Sequence, residues 1–305
     1  MTEVRDGLLL VDKEAGCTSH DVVQRARRAL RQKKIGHCGT LDPDATGLLL
    51  LTLGRATRLT RFLIRAPKVY EGTIRFGSST DTYDASGKVT GEYPIAGLTL
   101  DAARQAMDEL VGTYEQSPPP YSAKKVQGVR YYELARRGEE VPEASKEVTV
   151  YDFTPLGELA DGALRFTLSC ASGTYARTLA HETGRKVGGG AHLAALRRLK
   201  IGPFGVDDAV HPGDLESRFA PEQEPGTCWV PFDDIPLPFP QVTADAQQES
   251  RIANGQSVLV RESEAAEGDW IKLVNQRRQF IAVGTVIERI GDRGVGVVQP
   301  KVVFK

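Results

Sequence analysis

The sequence predicts an α+β fold, with one large domain around a mixed β-sheet followed by a small all-β module. Three observations carry this. Apolar residues recur with strand period in some segments and helix period in others, without the regular strand–helix alternation that builds a parallel sheet. A proline-rich stretch interrupts the chain near residue 230, and beyond it only short β-type runs separated by turns remain. At 305 residues the chain is long enough for one large unit and one small one.

Gly7–Val11 (GLLLV) has the composition of a short buried strand. From Thr18, the stretch TSHDVVQRARRALRQKK reads as a helix. Thr18 or Ser19 caps it, Asp21 suits its positive end, and Val22, Val23, Ala26 and Leu30 share one face with arginines on the other. Tyr70, Gly72, Ile74 and Phe76 alternate with Glu71, Thr73 and Arg75, which is strand period. TLDAARQAMDELVG predicts a second helix, with Leu100, Ala103, Met107 and Leu110 inward and Gly112 as its stop. Strands are expected over Glu147–Phe153 and Leu164–Cys170, then helices over Tyr175–Lys186 and His192–Leu199. Ser117–Pro142 opens on prolines and is rich in Lys, Arg and Tyr, so residues 117–146 read as an insertion standing off the sheet. Six prolines between Phe219 and Val242 mark a linker, which places the domains at 1–235 and 236–305.

Composition narrows the function classes. The longest apolar run, Leu48–Leu53, is broken by Thr52 and falls far short of the ~20 residues that span a bilayer. The N-terminus carries acids ahead of a short apolar run, unlike a signal peptide, so a cytoplasmic location and no membrane partner are expected. Cys17, Cys38, Cys170 and Cys228 lie far apart, as do the five histidines, so no metal site is expected. A phosphate-binding loop is absent and GRKVGGGAH lacks dinucleotide-fingerprint spacing, so no cofactor is expected either. The net charge of −1 hides segregation. Arg25–Lys68 holds eleven Lys/Arg against only Asp42 and Asp44, and Arg185–Lys200 holds five with no acid. Such clusters are the footprint of a phosphate-backbone partner; a solvated helix face is the plain alternative.

Within the first basic cluster lies GHCGTLDPDATGLLLLTLGRATR (Gly36–Arg58). Pro43 pushes Asp42 out of the helical region, so its carboxylate is presented from an extended turn between Gly39 and Gly47. By itself an Asp–Pro turn is only a turn. His37, the basic surroundings and a second unit, SGTYARTLA (Ser172–Ala180), point to more. Tyr175 and Arg177 project to one side if the backbone is extended there, and an arginine can take a carboxylate bidentately.

These motifs resemble the bacterial TruB-type tRNA pseudouridine(55) synthase family. The resemblance runs in register through GLLLVDKEAGCTSHDVV, the Gly36–Arg58 stretch, KVYEGTIRFGSSTDTYDASG, PPPYSAKKVQGVRYYELARRGEEV, GTYARTLA and GAHLAALRRLKIGPF. Glu14 departs from it, where the family usually has proline after Lys13. The resemblance implies a pseudouridine-synthase-type mixed sheet with an inserted thumb and a small C-terminal PUA-like β-barrel. It implies isomerisation of the T-loop uridine at tRNA position 55, by base flipping and an aspartate nucleophile, without cofactor or guide RNA. Asp42 is then the catalytic residue and Arg177 its partner. Tyr70 stacks on the target base, Tyr175 and Leu196 line the pocket, and His37 packs against flipped nucleotides. Lys13 joins the substrate-binding set, and Asp84 is a structural or substrate-side acid. Arg25–Lys34 and Arg197–Lys200 would meet phosphates of the T-arm, the C-terminal module would reach the acceptor side, and a monomer suffices. The alternative function is a non-catalytic tRNA-binding or folding module.

Overall fold

The computed structural model describes residues 4–120, 125–126, 129–130, 145–220, 223–261, 264–291 and 295–304, with backbone alone at 125–126 and 129–130. In the larger part of the chain the strands are β1 (Gly7–Lys13), β2 (Ile35–His37), β3 (Thr46–Leu53), β4 (Lys68–Phe76), β5 (Ser78–Thr80), β6 (Val89–Glu92) and β7 (Gly112–Gln116). They continue with β8 (Lys125–Val126), β9 (Val129–Arg130), β10 (Lys146–Ala160), β11 (Ala163–Cys170), β12 (Ala191–Ile201), β13 (Phe204–Gly205) and β14 (Trp229–Pro231). Ten of these form one mixed sheet in the order β14-β1-β3-β12-β4-β11-β10-β7, with β2 beside β3 and β13 beside β12.

The apolar run of β1 is explained by cover on both faces, the usual reason for a strand that does not alternate with polar residues. Leu8 and Leu10 pack with Leu48, Leu50, Phe62 and Phe204 on one side, while Leu9 and Val11 pack with Leu49, Leu51, Val22 and Val23 on the other. The helix supplying those valines, Ser19–Ala29, starts at a reciprocal cap: the Asp21 amide donates to the Thr18 hydroxyl at 3.1 Å and the Thr18 amide donates to the Asp21 carboxylate at 2.9 Å. A third core, beneath the helices Leu100–Asp108 and Ala176–Lys186, joins Ile74, Met107, Phe153, Phe166 and Leu179.

The C-terminal strands β15 (Gln241–Ala244), β16 (Val258–Val260), β17 (Trp270–Asn275), β18 (Phe280–Ile290) and β19 (Val295–Val303) form a PUA-like half-barrel in the order β15-β17-β18-β19-β16. Its core of Ile271, Leu273, Ala282, Val286 and Val298 is backed by the helix Ala246–Ala253. Against the large sheet it places Phe280 and Phe304, which pack on Phe232 at ring-centroid distances of 5.1 and 4.8 Å.

Three expectations are corrected. His192–Leu199 is not a helix but lies in β12, antiparallel to β4 and parallel to β3; two neighbouring ladders outweigh the helix-forming tendency of its Ala, Leu and Arg residues. The second helix ends at Asp108 with Glu109 as its cap, and Gly112 instead opens β7. The proline-rich stretch is packed rather than loose: β14 pairs with β1, and Phe232 and Ile235 are buried. Of the expected insertion, residues 121–124, 127–128 and 131–144 lie outside the described residues, and β8 and β9 pair as a hairpin.

Candidate active site

The turn holding Asp42 joins β2 to β3 at the middle of the large sheet. Its Asp42 carbonyl accepts from the Ala45 amide at 3.1 Å, a β-turn with Pro43 at its favoured second position. The Pro43 carbonyl accepts from the Gly16 amide at 3.0 Å and the Lys13 ammonium at 2.8 Å. Before the turn, the Ser19 hydroxyl takes the Leu41 amide at 2.9 Å. After it, Gly47 has φ of +98° and passes so close to β12 that a Cβ would lie 2.2 Å from the Arg198 carbonyl oxygen. Only glycine fits that crossing.

Arg177 reaches this turn from the first turn of the helix Ala176–Lys186. Its Nε lies 3.0 Å from Asp42 Oδ2 and a terminal nitrogen donates to Oδ1 at 3.3 Å, a bidentate pair. The other terminal nitrogen lies 3.4 Å from Asp84 Oδ2 and 3.2 Å from the Thr82 carbonyl. Asp84 is itself fixed, accepting from the Thr82 and Ser86 hydroxyls and the Ser86 amide. The Arg177 side chain is 9% exposed and that of Asp42 is 45% exposed, so the cation is built into the wall while the carboxylate faces solvent.

Two adjoining cavities meet at this ion pair. One, of about 570 Å³, is lined by Thr18, Asp44, Thr82, Asp84 and Ser86; the other, of about 310 Å³, is lined by Lys68, Tyr70, Tyr175 and Arg198; Asp42, Arg177 and Leu196 border both. Tyr70 comes from β4, and burial pushes its phenol up, opposed by the Arg198 guanidinium, so the ring is neutral at neutral pH. Tyr175 is the residue just before its helix, in extended conformation, whereas Arg177 is already helical. They meet one cavity across a strand-to-helix corner, not along an extended run. Leu196 sits on β12 opposite Gly72.

Lys13 and His37 line neither cavity. Lys13 is fully buried and donates to the carbonyls of Glu14 and Pro43, both at 2.8 Å, so it braces the Asp42 turn. His37 ends β2 opposite Leu51, and burial lowers its pKa. The basic clusters are partly engaged internally. Arg25 pairs with Glu14 at 2.5 Å, Arg27 donates to the Ile35 carbonyl, and Arg197 pairs bidentately with Asp12 at 2.9 and 2.7 Å. Arg31, Lys33, Lys34 and Lys200 are exposed.

Sequence reasoning missed Arg198, Lys68 and Gln116 as parts of this site. Arg198, 1% exposed, donates to the Leu48 carbonyl at 2.7 Å and the Gly39 carbonyl at 3.1 Å, tying both ends of the Asp42 loop to β12. Gln116 accepts from the Tyr175 amide at 2.8 Å and donates to its carbonyl at 3.3 Å, fixing that corner. The readable signal was spacing: Lys68 stands two residues before Tyr70 on a strand, hence on the same face. Among the described residues no group of three or more His, Cys, Asp or Glu is placed to hold a metal ion, and no helix is long and apolar enough to cross a membrane.

Residues 27–176 match the TruB family pseudouridylate synthase N-terminal domain, 177–232 the tRNA pseudouridylate synthase B C-terminal domain, and 240–304 the Pseudouridine synthase II TruB C-terminal family. The tRNA pseudouridine synthase B of Solibacter usitatus is 41% identical over 285 residues, covering 92% of this chain and 96% of that protein. Its counterpart from Aquifex aeolicus is 38% identical over 297 residues, covering 97% and 98%. Among solved structures, a chain of an H/ACA RNP bound to a substrate RNA containing 2′-deoxyuridine superposes with a TM-score of 0.74 at 24% identity, covering 99% of this chain and 86% of that one, a likeness of fold alone. A chain of a Cbf5–Nop10–Gar1 complex gives 0.73 at 26% identity, covering 98% and 85%. By sequence across nearly its whole length, the chain belongs to the TruB family of pseudouridylate synthases.

Proposed function

We propose that this protein isomerises the T-loop uridine at tRNA position 55 to pseudouridine, acting alone in the cytoplasm as a monomer. The observation that carries the reading is the accessible Asp42 carboxylate held bidentately by a buried Arg177 where two cavities meet. The reaction breaks the N1–C1′ glycosidic bond, turns the base and rejoins it through C5, which gives up its proton while N1 gains one. A glycosidic centre under substitution gathers positive charge, and a positioned carboxylate is the group that serves it. Arg177 aims that carboxylate, and Asp84 and Thr82 in turn hold Arg177.

The target uridine lies in a folded loop and is flipped out, at a cost of a few kcal/mol of stacking. The 310 Å³ cavity receives the base against Tyr70, with Tyr175 and Leu196 closing its sides. Exposed cations at Arg31, Lys33, Lys34 and Lys200 serve the phosphates of the T-arm, positioning rather than selecting. His37 packs beside flipped neighbours, and the half-barrel from residue 236 onward leans toward the acceptor side. Lys13 acts through the Asp42 turn it braces.

The test is to incubate purified protein with an unmodified tRNA transcript and no other RNA or protein, then map pseudouridine by reverse-transcription stops after carbodiimide labelling. A single new stop at the T-loop uridine is expected. Product that appears only after adding a guide RNA, or at other positions instead, overturns the stand-alone site-specific reading.

A further inference from the structure

Lys68 is a buried cation with no anion beside it among the described residues. It is 4% exposed and lines the 310 Å³ cavity together with Tyr70, Tyr175 and Asp42. Its ammonium has three donors, and one of them goes to the Ile64 carbonyl at 2.5 Å. Among the described residues no carboxylate pairs with it. The groups facing it are Arg198 on β12, Cys38 in the loop after β2, Cys170 at the end of β11 and Lys146 on β10. Burial pushes the thiols of Cys38 and Cys170 up to about 12 and about 11, so neither supplies a negative charge. Burial, then the Arg198 guanidinium, lower Lys68 to about 8, which leaves it mostly charged at neutral pH.

Burying a charged donor with most of its hydrogen-bonding capacity unused is costly, and folded proteins retain such groups where a ligand completes them. The other cations of this cavity are already engaged, Arg198 by the Leu48 and Gly39 carbonyls and Arg177 by Asp42, Asp84 and the Thr82 carbonyl. The unused donors belong to Lys68, which borders the same cavity as Tyr70.

We propose that Lys68 reads the C4 carbonyl oxygen of the target uracil and so admits uridine while rejecting cytidine. The inference deepens the reading of this cavity as the base pocket and rests on it. An ammonium only donates, and uracil presents an acceptor oxygen at C4 where cytosine presents an amino donor. A site built to donate to one oxygen discriminates strongly, because the wrong base leaves two donors opposed at a buried ammonium. The neighbouring backbone phosphate is a second acceptor of the same chemistry, but it is common to every sequence and would give Lys68 no preference between bases.

The test uses the Asp42→Asn protein, which separates binding from turnover, and two T-arm stem-loop RNAs carrying uridine or cytidine at the target position. With Lys68 present, the uridine RNA is expected to bind at least about tenfold more tightly. Adding Lys68→Met should abolish that preference, chiefly by weakening the uridine complex, while Lys68→Arg, which also only donates, should restore part of it. Equal binding of both RNAs with Lys68 present, or an undiminished uridine preference in Lys68→Met, overturns the proposal. So does an equal loss for both RNAs, which would place the ammonium on a phosphate. Failure of the unsubstituted protein to make pseudouridine is a different result, and it removes the parent reading instead.

Discussion

Lys13→Met distinguishes a brace from a ligand contact at the edge of the Asp42 turn. The substitution keeps an unbranched chain in a fully buried slot and removes two hydrogen bonds of 2.8 Å, to the carbonyls of Glu14 and Pro43. Bonds from a charged donor contribute about 1.5–3 kcal/mol each, so the gross loss is about 3–6 kcal/mol. Two features reduce it. Burial lowers the Lys13 pKa, so the folded protein no longer shelters a poorly solvated cation. The Pro43 carbonyl also keeps the Gly16 amide at 3.0 Å and is not orphaned. A net loss of about 2 kcal/mol is expected, or roughly 3–4 °C in the thermal midpoint of a chain this long. Thermal denaturation and tRNA binding across a salt series are the assays. The brace predicts a lowered midpoint, reduced kcat, nearly unchanged affinity and an unchanged salt slope. An unchanged midpoint, with the slope of log K against log salt made shallower by about one, would refute the reasoning and put Lys13 on a phosphate.

Arg177→Lys keeps the charge but loses the fork that holds Asp42 through two nitrogens while touching Thr82 and Asp84; single-turnover rates should fall about 100-fold with tRNA affinity within a few-fold. Lys68→Met should stabilise the free protein. A cation lowered from 10.5 to about 8 costs the fold about 3 kcal/mol below pH 8, fading between pH 8 and 10.5, so after about 1 kcal/mol for the orphaned Ile64 carbonyl the variant gains about 2 kcal/mol at pH 7 and loses that advantage by pH 10.5. Urea midpoints at pH 7 and pH 10 check both the gain and its direction. Gly47→Ala forces a Cβ onto the Arg198 carbonyl at a φ of +98° and should cost at least about 3 kcal/mol, seen as lost soluble yield or a collapsed melting transition.

The capped helix Ser19–Ala29 and strand β4 were legible in the sequence because their local signals and their burial agree: Thr18 and Asp21 cap each other, and Val22, Val23 and Ala26 are the buried face. Strand β12 was not, since AHLAALRRLKI carries helix-forming residues and only its two neighbours make it extended. Asp42 and Arg177 stood out through residue type and turn chemistry, and the structure brings them together across 135 positions of chain. Arg198 and Lys68 did not, because in a basic run nothing local separates a buried cation from an exposed one. Arg197 and Arg198 are adjacent in sequence, yet one pairs with Asp12 while the other is sealed against Leu48 and Gly39. Lys13 likewise gave no local sign that its ammonium turns to the Glu14 and Pro43 carbonyls.

In the proposed reaction Asp42 performs the chemistry and does not hold the RNA. Wild type and Asp42→Asn, compared under single-turnover conditions on one unmodified tRNA transcript with affinity measured in parallel, test it directly. Wild type is expected to form pseudouridine at the T-loop uridine and Asp42→Asn none, with affinities within about threefold of each other, since the substitution removes a charge but little shape. An Asp42→Asn protein that still forms pseudouridine at a rate comparable to wild type would contradict it.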